Sequence, residues 1–264
     1  MKFIKNIEKS GQKIISSILG IYYSIRFTLI NKSTPKIPPA HLIARVDGQY
    51  GTVHFLKVSI VSWKTIIKSL RRVGININDF KNILDFGCGV ARTLISANSQ
   101  IKKTNFFGTD VDREAIEWCK KNIKNVSFQS NDELPPLNYT DNKFDFIYSI
   151  SVFSHLNEDY QFKWIKEIAR ILKPGGIFLI SIHGNTCWKR APEKIKSKCS
   201  SDIVKYGFAF EDSAHPVGLN KSWYKTAFHT KNYIQKNYSK YFEILAHLEA
   251  GLGNYQDIVI LKRK

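Results

Sequence analysis

The sequence predicts an α/β protein built on a seven-stranded sheet that is mostly parallel, with an antiparallel last strand, helices on both faces and an N-terminal helical extension. Two observations carry this prediction. Between residues 82 and 184, short apolar runs alternate with segments of helical periodicity, which is typical of a parallel sheet covered on both faces. Near the carboxyl end, two further apolar runs are joined only around GLGN. This connection is too short for a crossover helix, so the last two strands must be antiparallel.

The predicted elements follow in chain order. A helix over 53–74 has apolar residues at helical spacing and ends at a glycine; those residues are Phe55, Val58, Val61, Ile66, Ile67 and Leu70, followed by Gly74. Five strands with intervening helices come next, and the strands are predicted at 82–87, 104–110, 125–130, 143–150 and 176–184. A mixed segment from Asn185 to Thr226 is expected to cover the substrate. It precedes a short helix capped by Thr230 and the last two strands, at 241–250 and 256–264.

Length and composition limit the possible classes of protein. The 264 residues, 43% of them hydrophobic, suit one domain at 38–264 with an appendage at 1–37. The formal charge of +18 could attract nucleic acid or anionic lipid, but scattered lysines favour a solvated basic surface. The four cysteines form no CxxC pair or zinc-type cluster, so we expect no metal, no disulfide framework and a cytoplasmic location.

The amino-terminal appendage is basic and then apolar. Four lysines precede the run 14–30, whose only charge is Arg26. The run is too short and too rich in serine for a good membrane-spanning helix, and no signal-peptide cleavage site follows. We expect a helix that lies on an anionic membrane surface, on the inner face of the cell membrane, or packs over the domain.

The stretch ILDFGCGVAR indicates the type of ligand. Gly87 and Gly89 follow the first strand and allow the backbone to approach a nucleotide closely. Asp85 would place a negative charge beside a pyrophosphate, and Arg92 stands where a dinucleotide site needs a small residue. S-adenosylmethionine has no phosphate and carries a sulfonium and an ammonium, so Asp85 becomes a favourable partner. The residues therefore predict this cofactor.

A second acid supports a nucleoside. Asp110 ends the second strand, 21 residues after Gly89, where a carboxylate can accept hydrogen bonds from ribose hydroxyls. Asp112 is the nearby alternative. A third possibility is that Asp110 only caps the helix that begins near Arg113.

These motifs together resemble the class I S-adenosylmethionine-dependent methyltransferases, a Rossmann-like family. ILDFGCGVAR resembles the family's first motif, GTDVD the second, and residues 131–156 the segment through its fourth strand. SVFSHL, SIHG, AFHT and YQDIVIL are similar to a bacterial subgroup often encoded with polysaccharide biosynthesis genes. The resemblance covers about 38–261.

The resemblance implies a set of residues that contact the cofactor. Asp85, Gly87 and Gly89 would lie around the methionine moiety, and Asp110 would bind the ribose. Asn131 would border the adenine and Ser151 would lie near the sulfonium, and Val111, next to Asp110, is a further cofactor-binding residue. One departure is Ala91, where many relatives have glycine; alanine is small, and we expect binding to survive.

Candidates for catalysis follow the strands at the same edge of the sheet. His155 follows the fourth strand, His183 ends the fifth, and Gln256 and Asp257 begin the last. Sheet adjacency predicts that Asp257 orients His183 as a general base, whereas the alternative is that both are structural. His155 has the alternative of packing beside the cofactor. Further candidates for the pocket are His229, Tyr224 and Trp188.

The leading functional hypothesis is methyl transfer to a small-molecule or saccharide acceptor, at a hydroxyl oxygen. The alternative is an RNA or DNA methyltransferase recruited by the basic surface. Against it, SISVFSH follows the fourth strand in place of the proline-rich aromatic motif expected of an enzyme that methylates base amino groups. A third hypothesis, a non-catalytic cofactor-binding protein, is disfavoured by the intact set from Asp85 to Asp110.

Overall fold

The computed structural model describes residues 25, 36–47, 51–98, 101, 103–211 and 221–264. The helix predicted within 14–30 lies outside the described residues, apart from residue 25. The described helices are α1 (Ala40–Asp47), α2 (Thr52–Arg72), α3 (Arg92–Asn98), α4 (Arg113–Asn122), α5 (Glu158–Ile171), α6 (Asn185–Arg190), α7 (Glu193–Tyr206) and α8 (Lys231–Tyr238). The strands are β1 (Asn82–Phe86), β2 (Asn105–Asp110), β3 (Val126–Ser130), β4 (Phe144–Ser149), β5 (Leu172–Ile182), β6 (Phe208–Glu211), β7 (Thr226–His229), β8 (Phe242–Leu252) and β9 (Gln256–Arg263).

The main sheet has seven strands in the order β3-β2-β1-β4-β5-β9-β8. Strands β1 to β5 are parallel, whereas β9 runs antiparallel to both β5 and β8. The predicted fold class is therefore confirmed. Because β9 runs in the opposite direction, its first residues lie at the same edge as the carboxyl ends of the parallel strands.

Helices cover both faces of this sheet. On one face, Trp164 of α5 and Tyr238 of α8 belong to a buried cluster with residues of β1, β4 and β5. On the other face, Trp63 of α2 and Leu94 of α3 pack in a second buried cluster with Tyr148 of β4. Strands with apolar residues on both faces are typical of such a sandwich.

Local signals place most helix boundaries correctly. Gly74, just after α2, adopts a φ of 76°, a left-handed conformation that favours glycine. The side chain of Thr230 accepts a hydrogen bond from the backbone N–H of Tyr233, which confirms the predicted cap of α8. Val61, one of the apolar residues at helical spacing, is 43% exposed, and Trp63 fills the core on that part of α2.

The mixed segment after β5 contains more regular structure than the sequence indicates. It contains α6, α7 and β6, and β6 pairs with β7 as a separate two-stranded antiparallel sheet. Helix α1 was not predicted either. It is only eight residues long, and short helices give a weak periodic signal.

Candidate active site

The loop after β1 opens a cleft at the carboxyl edge of the sheet. Gly87 and Gly89 have φ angles of 77° and 52°, so both sit in the left-handed region. A Cβ atom on Gly87 would collide with the side chain of Val152. The backbone N–H groups of Gly87 and Cys88 donate to the carbonyl of Thr109 at 2.9 and 3.1 Å, which ties the loop to β2. The glycines are thus required by the backbone conformation and by close packing.

All seven predicted cofactor residues line this one cleft. They are Asp85, Gly87, Gly89, Asp110, Val111, Asn131 and Ser151. They come from the ends of four parallel strands, which the fold brings to one edge. Their individual contacts with a cofactor remain predictions.

Asp85 is a buried carboxylate at the base of the cleft, with 3% of its surface exposed. Burial raises its pKa to about 8, and the neighbouring Asp110 carboxylate contributes in the same direction. A cation bound beside Asp85 would favour its ionised form. The cleft therefore fits a cationic ligand such as the methionine end of S-adenosylmethionine and disfavours a pyrophosphate.

Asp110 is held by backbone donors. Its two carboxylate oxygens accept hydrogen bonds from the N–H groups of Gly89 at 2.7 Å and Asp112 at 2.8 Å. The cap of α4 is Asp112, whose side chain accepts from the N–H of Ala115. The alternative role of Asp110 as a helix cap is therefore wrong, and its position on the cleft wall suits recognition of ribose.

Helix α1 lies over the rim of the cleft, which the sequence did not indicate. The Arg45 guanidinium bonds both carboxylate oxygens of Asp112, at 3.1 and 2.9 Å, and one of Glu114, at 2.6 Å. Val46 packs so closely on Gly89 that a Cβ atom there would strike it. Arg45 and Asp112 are 67 residues apart, so no local pattern reports this contact.

Arg92 is a second cleft residue whose role the sequence did not reveal. It begins α3 and lines the cleft, and its guanidinium donates to the carbonyl of Val46 at 3.3 Å. Burial lowers its pKa to about 10, so it remains charged at neutral pH. A cation and a buried acid that line one cleft suit a zwitterion that carries both an ammonium and a carboxylate. The signal was present in the motif, where Arg92 replaces the expected small residue.

Asn131 and Ser151 are each held by neighbouring strands. The Asn131 amide oxygen accepts from the Thr109 hydroxyl at 2.8 Å. Ser151 has a φ of 59°, and its N–H donates to the hydroxyl of Ser181 at 2.8 Å. Its carbonyl accepts from the Tyr224 hydroxyl at 3.3 Å. Such a conformation costs about 1–2 kcal/mol and is often found at functional sites.

The predicted hydrogen-bonded pair of His183 and Asp257 is wrong. The Asp257 carboxylate bonds to His247 Nε2 at 2.8 Å and accepts from the N–H of Ala250 at 2.9 Å. In the sheet Asp257 lies opposite Ile182, so the next residue along β5, His183, points to the other face. There His183 Nε2 lies 3.4 Å from the amide nitrogen of Gln256.

His155 lines the cleft, and His183 lies behind it. The His155 Nδ1 lies 2.6 Å from the Lys225 carbonyl, so Nδ1 carries the proton and donates. Burial lowers the pKa of His155. Burial, with the neighbouring His155, lowers the pKa of His183 to about 3. Both rings are therefore neutral at physiological pH.

The other candidates divide between cleft and core. Tyr224 lines the cleft, with its ring centroid 5.1 Å from that of His155. His229 is 2% exposed and its Nε2 lies 3.0 Å from the Gln161 amide oxygen, so it belongs to the core. Trp188 packs edge to face on Phe228 at 5.3 Å.

Two features are absent from the described residues. Within the described ranges, His, Cys, Asp and Glu side chains form no group of three or more that could hold a metal ion. In the same part of the chain, none of the helices combines the length and apolar character that membrane crossing requires.

Comparison with known proteins supports the interpretation of the motifs. Residues 83–176 match the family model described as a methyltransferase domain. An uncharacterized protein of Rickettsia prowazekii is 32% identical over 111 residues, which are 40% of this chain and 44% of that protein. A tRNA (carboxymethyluridine(34)-5-O)-methyltransferase of Arabidopsis thaliana is 29% identical over 57% of this chain and 34% of its own length. A fatty-acid O-methyltransferase of Mycolicibacterium smegmatis is 29% identical over 103 residues, which are 38% of this chain and 36% of that protein.

The chain thus spans less than half the length of these curated relatives. Among solved structures, an S-adenosylmethionine-dependent methyltransferase from Clostridium acetobutylicum superposes with a TM-score of 0.55 at 15% identity, over 85% of this chain and 97% of that one. At this identity the likeness is one of fold. Residues 83–176 are thus similar in sequence to a methyltransferase domain, and the chain shares the Rossmann-like fold of an S-adenosylmethionine-dependent methyltransferase.

Proposed function

We propose that this protein transfers a methyl group from S-adenosylmethionine to a hydroxyl oxygen of a saccharide or another small, uncharged acceptor. The observation that carries the proposal is the buried carboxylate of Asp85, which shares a cleft with Asp110 and the two left-handed glycines. This arrangement suits a cationic nucleoside, and it opens on a wall of neutral side chains where an acceptor would enter.

The cleft residues divide the work of binding the cofactor. Bound S-adenosylmethionine supplies a methyl group on a positively charged sulfur. Asp85 would pair with its ammonium and Arg92 with its carboxylate, while Asp110 would accept from the ribose hydroxyls. Val111 and Asn131 would border the base. Holding donor and acceptor in line can supply much of the rate enhancement without a strong base.

Most side chains on the acceptor side of the cleft are uncharged, although the Glu133 carboxylate accepts from Trp223 Nε1 at 2.9 Å there. The residues that follow β4 and those that precede β7 contribute only neutral side chains to this wall: Ile150, Ser151, Val152, His155, Leu156, Trp223 and Tyr224. Hydroxyl, imidazole and phenol groups suit an acceptor that presents hydroxyls more than one that presents phosphates. This composition supports a saccharide or similar metabolite.

Isotope transfer tests the proposal. The purified chain is incubated with methyl-labelled S-adenosylmethionine and with separate saccharide, lipid, RNA and small-molecule fractions of a bacterial lysate. Label in the saccharide or small-molecule fraction is expected. Label in RNA alone would overturn the acceptor class. Failure to bind the cofactor in calorimetry would overturn the whole proposal.

An RNA acceptor is the second candidate. The formal charge of +18 favours contact with a polyanion, and the relatives named as tRNA methyltransferases include the Arabidopsis thaliana protein. That relative is covered over only 34% of its length, and the wall around Ser151 carries no positive charge. We therefore rank it below the saccharide.

Three finer proposals rest on the sequence alone. SVFSHL, SIHG and YQDIVIL support membership of the polysaccharide-associated subgroup, and the cysteine usage supports a cytoplasmic location. The basic, apolar residues 1–30 support peripheral contact with the inner face of the cell membrane. Flotation of the full chain with anionic vesicles, against a chain lacking residues 1–35, tests that contact; equal flotation of the two chains would contradict it.

A further inference from the structure

His155 has one ring nitrogen that no group in the described part of the chain occupies. The ring lines the cleft and is partly buried. Its Nδ1 donates to the Lys225 carbonyl at 2.6 Å, so in the neutral ring Nδ1 carries the proton and Nε2 carries the lone pair. Nε2 has no hydrogen-bond partner among the described residues, and it is not one of their fully buried polar atoms. An available proton acceptor therefore stands in the wall of the cleft.

The backbone around this ring is fixed. The chain after β4 pairs with the chain before β7 through an antiparallel bridge between Leu156 and Tyr224. In the same pairing, the carbonyl of His155 accepts from the N–H of Lys225 at 2.7 Å. Lys225 therefore holds both the backbone and the ring of His155, which sets the tautomer and the orientation of the ring before any ligand binds.

His155 and Ser151 lie on the same wall of the cleft. The N–H of His155 donates to the Val152 carbonyl at 2.8 Å, which closes a turn that begins beside Ser151. The Tyr224 ring centroid lies 5.1 Å from that of His155, and the Tyr224 hydroxyl donates to the Ser151 carbonyl at 3.3 Å. A single tyrosine side chain thus contacts both residues. Because Ser151 is expected to lie near the sulfonium, an acceptor on this wall would have the methyl donor and Nε2 within reach.

The other proton acceptors of the cleft serve other roles. The Glu133 carboxylate accepts from Lys221 Nζ at 2.8 Å and from Trp223 Nε1 at 2.9 Å. The Tyr224 hydroxyl donates to Ser151, and burial raises the pKa of this phenol, so it stays protonated at neutral pH. The remaining carboxylates are the two that suit the cofactor and the one that caps α4: Asp85, Asp110 and Asp112. His155 Nε2 is therefore the group best placed to take a proton from a substrate.

We propose that His155 Nε2 is the general base of the methyl transfer, and that the acceptor is a hydroxyl group that enters with its proton. This inference rests on the proposed function and adds the catalytic residue to it. The hydroxyl oxygen forms the new bond to the methyl carbon as the carbon–sulfur bond breaks and sulfur keeps the electron pair. The hydroxyl proton passes to His155 Nε2 and then to water. A carboxylate acceptor has no proton to lose at neutral pH and would make this nitrogen unnecessary.

A weakly basic imidazole is sufficient for this step. Burial lowers the pKa of His155, so the ring is neutral at physiological pH and its Nε2 lone pair is available. The groups that face the ring are the Lys225 carbonyl, the Tyr224 ring and the His183 ring at 5.4 Å, and none of them is ionised at that pH. The hydroxyl oxygen gains positive charge as it is methylated, and a protonated ether is a far stronger acid than an imidazolium ion.

The test replaces His155 in two ways and includes a second histidine as the control. His155→Gln keeps a polar side chain without a basic nitrogen, and His155→Ala opens a space that added imidazole can enter. His54→Asn changes a histidine of α2 that does not line the cleft. The rate of labelled methyl transfer to the saccharide fraction is measured at saturating S-adenosylmethionine, and calorimetry gives the cofactor affinity. Alkali then identifies the product, because a methyl ester releases its label as methanol and a methyl ether does not.

We expect both His155 variants to lower the transfer rate about 100-fold or more, with unchanged cofactor affinity. Imidazole should restore much of the rate of His155→Ala, whereas His54→Asn should match the wild type with or without imidazole. The labelled product should resist alkali. Nitrogen-15 NMR of the wild type should show that Nε2 of His155 is unprotonated at about pH 7.

An unchanged rate in His155→Gln overturns the inference, and so does a protonated Nε2 in the wild type. A lower rate that follows from weaker cofactor binding, and that imidazole does not restore, would assign His155 the alternative role of packing beside the cofactor and would also overturn it.

The outcomes separate this inference from the function on which it rests. A wild-type protein that does not bind S-adenosylmethionine would refute the proposed function. Alkali-stable label in saccharide, with no effect of either His155 variant, would refute only the general base. Label that alkali releases, or that enters no saccharide or small molecule, would refute the hydroxyl acceptor and the general base together.

Discussion

Replacing Asp85 with asparagine tests the electrostatic basis of cofactor binding. The substitution keeps the shape of the side chain and removes its negative charge from a position that is 3% exposed. A hydrogen bond to a charged group contributes about 1.5–3 kcal/mol, so above about pH 8, where Asp85 is ionised, the variant should bind S-adenosylmethionine about 10- to 150-fold more weakly. At pH 7 the wild type must first ionise Asp85, and the difference should fall to about 1- to 15-fold. The direction follows from the cofactor's positive charge, because a neutral amide cannot compensate a buried cation.

The raised pKa of Asp85 adds a second, more specific expectation. With a pKa of about 8 in the free protein, about nine-tenths of the molecules carry a neutral carboxyl at pH 7. A cation beside Asp85 favours the ionised form, so binding should release about 0.9 proton per site at pH 7. Affinity should therefore rise nearly tenfold between pH 6 and 7 and level off above about pH 8. Asp85→Asn should abolish both the proton release and this slope.

Calorimetry in phosphate and Tris buffers measures the released protons, because the two buffers differ in ionisation enthalpy. The titrations are kept at or below about pH 7, where a free α-amino group stays mostly protonated. Asp159→Asn serves as the control, since Asp159 is an exposed carboxylate that is paired with Lys163 and does not line the cleft. If the wild type released no protons and Asp85→Asn retained full affinity, the assignment of Asp85 to the cofactor's cationic end would be refuted.

Four further predictions follow from the described contacts. Burial raises the pKa of Asp85 above its unfolded value of about 3.8, so between these pKa values the folded state holds a proton that the unfolded chain releases. In denaturant unfolding without ligand, this contribution to the free energy of unfolding should be present below pH 4 and be lost as the pH rises to about 8. Asp85→Asn should lack this loss. Gly87→Ala should weaken cofactor binding more than tenfold in calorimetry, because alanine disfavours the left-handed conformation at this position and its methyl group would collide with Val152. Unchanged affinity would contradict the loop's role. Because the pKa of His183 is lowered to about 3, methyl transfer at saturating substrates should show no histidine titration between about pH 5.5 and 7.5, and a limb near 6.5 would count against the buried neutral ring. Asp257→Asn should lower the free energy of unfolding by about 1.5–3 kcal/mol, because either His247 Nε2 or the Ala250 N–H would then face the N–H group of the new amide. Asp159→Asn should lower it by less than about 1 kcal/mol, and equal effects of the two substitutions would contradict the structural role of Asp257.

Much of the fold and the cofactor cleft could be predicted because their signals are local. Alternating strand and helix patterns, the glycines after β1 and the acids at the ends of β1 and β2 lie within short windows of sequence. A parallel sheet then brings the ends of its strands to one edge, whatever the details of packing. For that reason all seven predicted cofactor residues line the same cleft.

The errors came from contacts between residues far apart in the chain. Prediction of the His183–Asp257 pair used the correct strand order, but a shift of one residue moves a side chain to the opposite face of a sheet. Asp257 consequently meets His247, and His183 meets Gln256. Sequence gave no means of choosing between these two faces.

The sequence by itself determined the fold class, the glycine loop and the charge pattern that favours a cationic ligand, because backbone conformation and the sign of a charge are properties of a few adjacent residues. Only the tertiary structure decided that α1 covers the cleft through Arg45, that Asp257 stabilises the hairpin, and that Tyr255 stands exposed beside His183. These features depend on strand register and on the docking of elements tens of residues apart. The rim that α1 adds to the cleft is built from such contacts, whereas the glycine loop and the acids near the ends of β1 and β2 are set by adjacent residues.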